Sequence, residues 1–369
     1  MFRQVLLATV IAVGLFVFVL VAGNAIREVL GLLASGRLTW ADFGYFLAIL
    51  IPGVVPYALP LGLLFATLLV LGRLSAQSEI LAMKAAGLSL WRIAAPILLI
   101  AILGTGLALI IGFYYAPLAD STYKKKLTNI VRNDPLRFIQ QRTFIKDFPG
   151  FVIYVDSRSG NELRDFYIWE LTEDGKVHIF VQGARGNINY SEEDDAIILT
   201  IIEGTGEQRK ADDAENLQDT IPVVSYENAS VSLSLDRILG SEEQNQKLSL
   251  MTLDELLDKR RLAIQAPSSD ESLTEQMNVQ VAIQKKVAFS FSVLSLCIFA
   301  IPLGIKASRS ETYANLGIAL ALALVYFMLT IMISWTEKTP SVRPDLLLWI
   351  PNFIFQAFGF YMLYRANKH

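Results

Sequence analysis

Residues 43–71, FGYFLAILIPGVVPYALPLGLLFATLLVL, contain no Asp, Glu, Lys or Arg. About 20 apolar residues in a helix are enough to cross the hydrocarbon core of a bilayer, so this stretch predicts a transmembrane helix. Pro52 and Pro56 lie in its first half, and Pro60 follows just after its midpoint. Because proline lacks a backbone N–H and its ring crowds the preceding turn, we expect that half of the helix to be kinked or broken.

Five further runs are also apolar and contain no Asp, Glu, Lys or Arg, namely residues 5–22, 93–115, 287–305, 314–333 and 346–364. The chain is 53% hydrophobic and only 18% charged, which is too apolar for a protein that must cover its surface with polar groups. Tryptophans lie at or just outside the ends of these runs, where the amphipathic ring prefers the headgroup region. They are Trp40, Trp91, Trp335 and Trp349. The sequence therefore predicts six transmembrane helices.

The first run has a second interpretation. Arg3 precedes it and the small residues Ala22 and Gly23 follow it, as in a secretory signal peptide. However, the run is longer than a usual signal core, and another long span follows closely. A transmembrane helix is the favoured interpretation.

Charged residues concentrate between the third and fourth spans, where short segments with β character alternate with turn residues. These segments are residues 151–156, 166–171, 177–182, 196–202 and 223–235. We expect an inserted all-β domain resembling a jelly roll. Further on, Thr252 and Glu255 have the spacing of a capping box that opens a helix through Leu262, and a second helix from Ser269 continues into the fourth span.

The chain is thus expected to have four parts. Residues 1–115 carry the first three spans, residues 116–247 form the β domain, residues 248–286 form a helical return segment, and residues 287–369 carry the last three spans.

The distribution of basic residues predicts the orientation in the membrane. Eight Lys and Arg lie in the short segments on the side of the termini, against four on the other side. This bias favours cytoplasmic termini and a β domain outside the cytoplasm. The opposite orientation is favoured by the lysines at positions 124–126 and 285–286. However, long domains cross membranes largely regardless of their charge.

The composition excludes several functions. One cysteine and two distant histidines leave no metal cluster or catalytic triad, so we expect neither an enzyme nor a cofactor. A net charge of -3 without a basic stripe argues against nucleic acid. The spans lack the charges that ion coupling requires. Because no G-x-x-x-x-G-K-[ST] loop is present, ATP would have to be hydrolysed by a separate polypeptide, with this chain as its permease.

The segment between the second and third spans is the largest short loop on the side of the termini. Ser75 or Ser78 can cap a helix there, Glu79 suits its first turn and Gly87 its end, which predicts a helix over residues 75–87. Such a helix either docks on an ATPase or lies on the lipid interface.

This segment also carries a resemblance. Arg73-Leu74-Ser75 and residues 78–89, SEILAMKAAGLS, resemble the signature of the LptF/LptG (YjgP/YjgQ) permeases. Arg343-Pro344-Asp345, Trp349-Ile350-Pro351-Asn352 and residues 359–365, GFYMLYR, resemble the last helix of that family and its entrance. The resemblance covers both membrane halves and their order around the central domain.

The resemblance implies a subunit of a lipopolysaccharide exporter in the bacterial inner membrane, with a periplasmic β domain. In that family an LptF and an LptG subunit face each other above an LptB ATPase dimer, which binds the ATP. LptC-like and LptA-like proteins then receive the lipopolysaccharide. The first and fifth spans form lateral gates. The implied ATPase-coupling residues are Arg73, Ser78, Glu79, Met83, Lys84 and Gly87.

Two features depart from the family pattern. The amino terminus lacks most of the basic interfacial helix that usually precedes the first span, and Lys285-Lys286 stands where a basic residue, often Arg, precedes the fourth. A phosphorylated glycolipid needs cations near the outer interface, and Arg27, Lys285 and Lys286 are the candidates. Ordinary snorkelling to the interface would also explain each of them.

Other functions remain open from the sequence. The chain could be a permease for a different envelope lipid or for a lipoprotein, or a membrane scaffold without transport activity. Neither the LptF nor the LptG role is favoured.

Overall fold

The computed structural model describes residues 1–34, 38–133, 139, 141–146, 150–172, 175–191, 196–208, 221–234, 248–265, 270–306, 312–338 and 343–368. The chain divides into two compact units. The helical unit contains residues 1–30, 43–122 and 247–369, and the sheet unit contains residues 31–42 and 123–246.

The helices follow one another as α1 (Phe2–Asn24), α2 (Leu30–Ala34), α3 (Trp40–Ala76), α4 (Glu79–Ala85), α5 (Leu90–Ile110), α6 (Ala116–Asn133), α7 (Leu253–Gln265), α8 (Asp270–Lys306), α9 (Thr312–Ser334), α10 (Pro344–Leu347) and α11 (Ile350–Lys368). Single π-helical turns, Ala25–Val29 and Ile111–Tyr115, follow α1 and α5.

Five of the described helices are long and apolar enough to cross a membrane, and they contain five of the six predicted runs. They are residues 2–27, 40–76, 90–130, 273–306 and 344–367. The sixth run lies on α9, whose described apolar part, residues 320–334, is shorter. Pro52, Pro56 and Pro60 lie inside α3, which is continuous through all three, so the helix is not broken there.

Small residues allow the helices of this unit to approach closely. A Cβ on Gly62 of α3 would lie 2.8 Å from the backbone nitrogen of Val13 in α1. A Cβ on Gly359 of α11 would lie 2.9 Å from the backbone nitrogen of Phe299 in α8. Glycine at these positions is typical of packing between helices in membranes, where van der Waals contact replaces the hydrophobic effect.

The capping box predicted at Thr252 and Glu255 is present, whereas the predicted helix start at Ser269 lies outside the described residues. Thr252 donates its N–H to the Glu255 carboxylate at 2.7 Å, and Glu255 donates its N–H to the Thr252 hydroxyl at 3.4 Å. This capping box opens α7, and α8 then runs without interruption from polar residues into the apolar span.

The sheet unit contains six antiparallel strands, β1 (Phe144–Ile145), β2 (Phe151–Ser159), β3 (Glu162–Leu171), β4 (Val177–Ser191), β5 (Ala196–Gln208) and β6 (Ile221–Ser234). The five predicted strands are confirmed, although β4 and β5 continue well beyond the predicted ends. Each strand pairs with the next in sequence, which gives an up-and-down meander. A jelly roll also needs strands paired across crossovers, and this strand order does not confirm it.

One face of the sheet forms an aliphatic core. It includes Ile153, Val155, Ile168, Leu199 and Ile201, all nearly inaccessible to solvent. The Phe166 ring lies over Gly183 and Gly186 of the neighbouring strand, where any Cβ would overlap the ring. These two glycines explain why a large aromatic residue fits into an otherwise aliphatic core.

Candidate functional site

A cavity of about 1140 Å³ lies within the helical unit. Its walls come from α3 at Tyr57, from α6 at Pro117, from α8 at Phe289 and from α9 at Phe327, with Leu248 next to α7. Most lining residues are apolar, and the ionisable ones are Asp120, Lys285 and Lys286. An apolar chamber with a few charged groups suits a lipid with an anionic headgroup.

Lys286 is half-buried in this wall, and its ammonium group has protein partners. The Nζ atom donates to the backbone oxygen of Gly112 at 3.2 Å and to that of Met251 at 2.7 Å. It also lies 5.5 Å from the centre of the Phe113 ring. Lys286 therefore ties the end of α5 to the turn that precedes α7.

The π-helical turn explains why Gly112 needs this partner. Ala116 donates its N–H to Ile111 in the i to i−5 pattern of that turn. The corresponding donor for Gly112 would be residue 117, which is proline and has no N–H. The Lys286 ammonium satisfies the carbonyl that Pro117 cannot satisfy.

Two of the three predicted cations line the cavity, and the third does not. Lys285 is half-buried and lines the cavity beside Lys286. Arg27 is exposed on the π-helical turn after α1 and is not among the residues that line this cavity. The structure thus brings together Lys285 and Lys286 but not Arg27.

The predicted helix over residues 75–87 is shorter than expected. Helix α4 spans Glu79–Ala85, while Ser75 still belongs to α3. Ser75 does not cap α4, because its hydroxyl donates to the backbone oxygen of Ile305 in α8 at 2.8 Å. Ser78 has a positive φ of 59° and makes no side-chain capping bond, so it reverses the chain instead.

The end of α4 is a Schellman motif. Gly87, with φ +84°, donates its N–H to Lys84 at 2.9 Å, and Leu88 donates to Met83 at 3.0 Å. Ser89 then accepts a bond from the N–H of Arg92 at the start of α5. The predicted role of Gly87 as the helix end is therefore confirmed.

The two faces of α4 differ. Ile80 is buried in the main core of the helical unit, and Met83 packs against the same core. Arg73, Glu79 and Leu81 are exposed, and Leu81 has 68% of its surface accessible. Lys84 is half-buried. The exposed surface of α4 therefore carries a carboxylate, from Glu79, and an apolar side chain, from Leu81.

Helix α4 lies at the end of the unit that holds the carboxyl terminus. Leu90 donates its N–H to the side-chain oxygen of Asn367 in α11 at 3.2 Å, and Ser75 bonds to the last turn of α8. The cavity lies toward the opposite end of α8, near Phe289. The 16 residues from Phe289 to Ile305 correspond to about 24 Å along a helix.

A largely buried polar cluster inside the membrane spans was not predicted from the sequence. It contains Ser295, Tyr326, Asn352 and Gln356, which are joined by hydrogen bonds of 2.7 to 3.1 Å. Asn352 and Gln356 lie four residues apart in an apolar run. This spacing, one turn of a helix, could have indicated a shared buried face.

Comparison with known proteins gives the family. The profile described as lipopolysaccharide export system permease LptF/LptG matches residues 1–365. The chain belongs to this family. Among curated LptF/LptG proteins, the permease protein LptF of Escherichia coli (strain K12) is 18% identical over 308 residues, covering 83% of this chain and 78% of that protein. LptF of Shigella flexneri matches with the same identity and coverage.

Membership defines the class of the protein. An LptF/LptG chain is a permease of lipopolysaccharide export, a transporter subunit rather than an enzyme. The candidate spans of this chain agree with a membrane permease.

Proposed function

We propose that this LptF/LptG chain is the transmembrane subunit of an ATP-driven exporter that extracts lipopolysaccharide from the inner membrane and passes it through a periplasmic β domain toward the outer membrane. The observation that carries the proposal is the cavity of about 1140 Å³ with two adjacent lysines in its wall. That volume exceeds the range of about 300–1000 Å³ typical of small-molecule pockets, in keeping with a ligand that has several acyl chains.

The basic residues support an orientation with both termini in the cytoplasm. In this orientation α4 faces the cytoplasm and the cavity lies toward the outer leaflet. The outward face of α4 would then dock on an LptB-like ATPase dimer, whose movements reach the bundle through Ile80 and Met83. The remaining partners would be a second LptF/LptG-type permease facing this one, and LptC-like and LptA-like proteins that accept the lipid.

Lys285 and Lys286 are the candidates for contacts to a lipid phosphate, because both line the cavity; Lys286 also bonds to two backbone carbonyls. Lys286 still contributes its positive charge to the cavity. An exposed Arg27 would act only on lipid outside this chamber. Each of these contacts follows from charge and position.

Charge reversal at Glu79 tests the link to an ATPase. We expect Glu79→Arg to abolish co-purification of a soluble ATPase in detergent and to make the cell envelope permeable to hydrophobic antibiotics. Glu162→Arg is the matched control, since Glu162 is an exposed acid in the sheet unit and its reversal changes the net charge equally. Retained ATPase and an intact envelope in the Glu79 variant would contradict the proposal.

Mass spectrometry of the purified wild-type protein tests the ligand. We expect a lipid A species together with an ATPase and a second permease. If a different lipid is the main bound species, the chain is a permease for that envelope lipid instead. Recovery of neither ATPase nor lipid would favour a scaffold.

A further inference from the structure

Helix α9 is held to the rest of the bundle over a small surface. Among its side chains that the structure describes, only Ala323 and Tyr326 are buried. Six large apolar side chains of α9 are exposed, namely Leu320, Leu324, Val325, Met328, Ile331 and Met332. These side chains therefore face outward, and among the described residues of α9 the contacts to the rest of the bundle are made by Tyr326 and its neighbours, including Leu322, Phe327 and Leu329.

Tyr326 makes a hydrogen bond from α9 to another helix. Its hydroxyl donates to the side-chain oxygen of Asn352 in α11 at 3.1 Å. By contrast, the hydroxyls of Thr330 and Ser334 donate to carbonyls of α9 itself. The Tyr326 ring also lies edge-on to Phe355, with ring centres 5.4 Å apart.

Asn352, the acceptor of this bond, is held in place by two further hydrogen bonds. It is fully buried, accepts a bond from Ser295 at 2.7 Å and donates to the backbone oxygen of Ala288 at 2.8 Å. Both partners lie on α8, which packs tightly against α11 at Gly359. Asn352 thus belongs to a rigid pair of helices, and Tyr326 attaches α9 to that pair.

The same helix forms part of the cavity. Phe327, Thr330, Ile331 and Ser334 line it, starting one residue after Tyr326. The position of α9 therefore determines the width of the chamber on that side. A movement of this helix away from α8 would open the cavity toward the face where its apolar side chains are exposed.

We propose that Tyr326 and Asn352 are positioning residues, whose buried hydrogen bond holds α9 against α8 and α11 and so sets one wall of the cavity. The bond is weak enough to be released during function, because a hydrogen bond between helices in a bilayer shifts an equilibrium by about threefold to twentyfold. This role in helix packing does not depend on which lipid occupies the cavity.

Distances between spin labels in lipid nanodiscs test this proposal without an ATPase or a lipopolysaccharide. In a Cys297→Ala background, labels replace Leu103 on α5 and Leu324 on α9, both of which are exposed. A second pair joins Leu103 to Phe358 on α11 and reports on the packing of the remaining bundle.

We expect Tyr326→Phe to increase the population of longer distances between residues 103 and 324 by about threefold to twentyfold and to leave the pair at residues 103 and 358 unchanged. Tyr361→Phe, which removes an exposed phenol from α11, should change neither pair. Unchanged distances to residue 324, or equal broadening of both pairs, would overturn the proposal.

A second variant covers the case in which Tyr326→Phe does not fold. Ser295→Ala removes one hydrogen bond from Asn352 and leaves the phenol of Tyr326 in place. We expect a smaller shift in the same direction at residue 324. If Ser295→Ala leaves that distance as in the wild type, the attachment of α9 does not depend on this cluster.

Discussion

Replacing Lys286 with Met should destabilise the protein. Lys286 is half-buried in the wall of the cavity. Its ammonium group donates to the backbone oxygens of Gly112 and Met251. Methionine keeps much of the volume of lysine and removes the charge and the donors.

The magnitude follows from these two bonds. A hydrogen bond that involves a charged group contributes about 1.5–3 kcal/mol, so two contribute about 3–6 kcal/mol. Removing a half-buried ammonium group also removes its desolvation cost, which offsets part of the loss. A net destabilisation of about 2 kcal/mol corresponds to a decrease of about 4–8 °C in melting temperature.

Intrinsic fluorescence during heating of the detergent-purified protein measures this difference. We expect Lys286→Met to melt about 4–8 °C below the wild type. Lys285→Met should reduce the amount of anionic lipid that co-purifies. A melting temperature of Lys286→Met equal to that of the wild type would refute the assignment of Lys286 as a tie between α5 and the turn before α7.

Two further substitutions test the local geometry. Thr252→Ala removes the capping box of α7, and we expect a loss of about 1 kcal/mol that is visible as faster hydrogen exchange over residues 253–257; protection equal to the wild type would contradict this. Gly359→Ala places a Cβ 2.9 Å from the backbone nitrogen of Phe299, and we expect a loss of about 1–3 kcal/mol in thermal stability, whereas Gly14→Ala, where no atom lies within 4 Å, should have little effect.

The sequence predicted the helices and strands well because their signals are local. An uncharged apolar run of about 20 residues has few alternatives to a membrane helix. The Thr252–Glu255 spacing located the start of α7, and Gly87 located the end of α4. The last two signals depend on residues within one or two turns.

Of the two predicted caps of α4, Ser75 was wrong because a distant contact engages it, whereas the helix begins directly after Ser78 with Glu79 in its first turn. Ser75 has the right chemistry for a cap, but its hydroxyl bonds to Ile305, 230 residues away in the chain. No local pattern indicates that partner. The position of Ser78 in the left-handed region, with φ 59°, is equally invisible to residue type.

The candidate site was predicted only in outline. Charge and position in the chain selected Lys285 and Lys286 together, but the sequence could not separate their roles. Lys286 has its particular role because the π-helical turn and Pro117 leave the carbonyl of Gly112 without a backbone N–H donor. Asn352 and Tyr326 were missed because the spans were recognised by the absence of charged residues, and both side chains are uncharged.

The order of strands in the sheet has a consequence for biogenesis. Because each strand pairs with its immediate successor, β1 to β6 can form hairpin by hairpin as they emerge, with short loops to close. The helical unit lacks this advantage, since the bond from Lys286 to Gly112 joins residues 174 positions apart. Synthesis of the sheet unit therefore precedes closure of the helical bundle, and a stalled or misfolded sheet would leave the first three spans without the helices that are synthesised last.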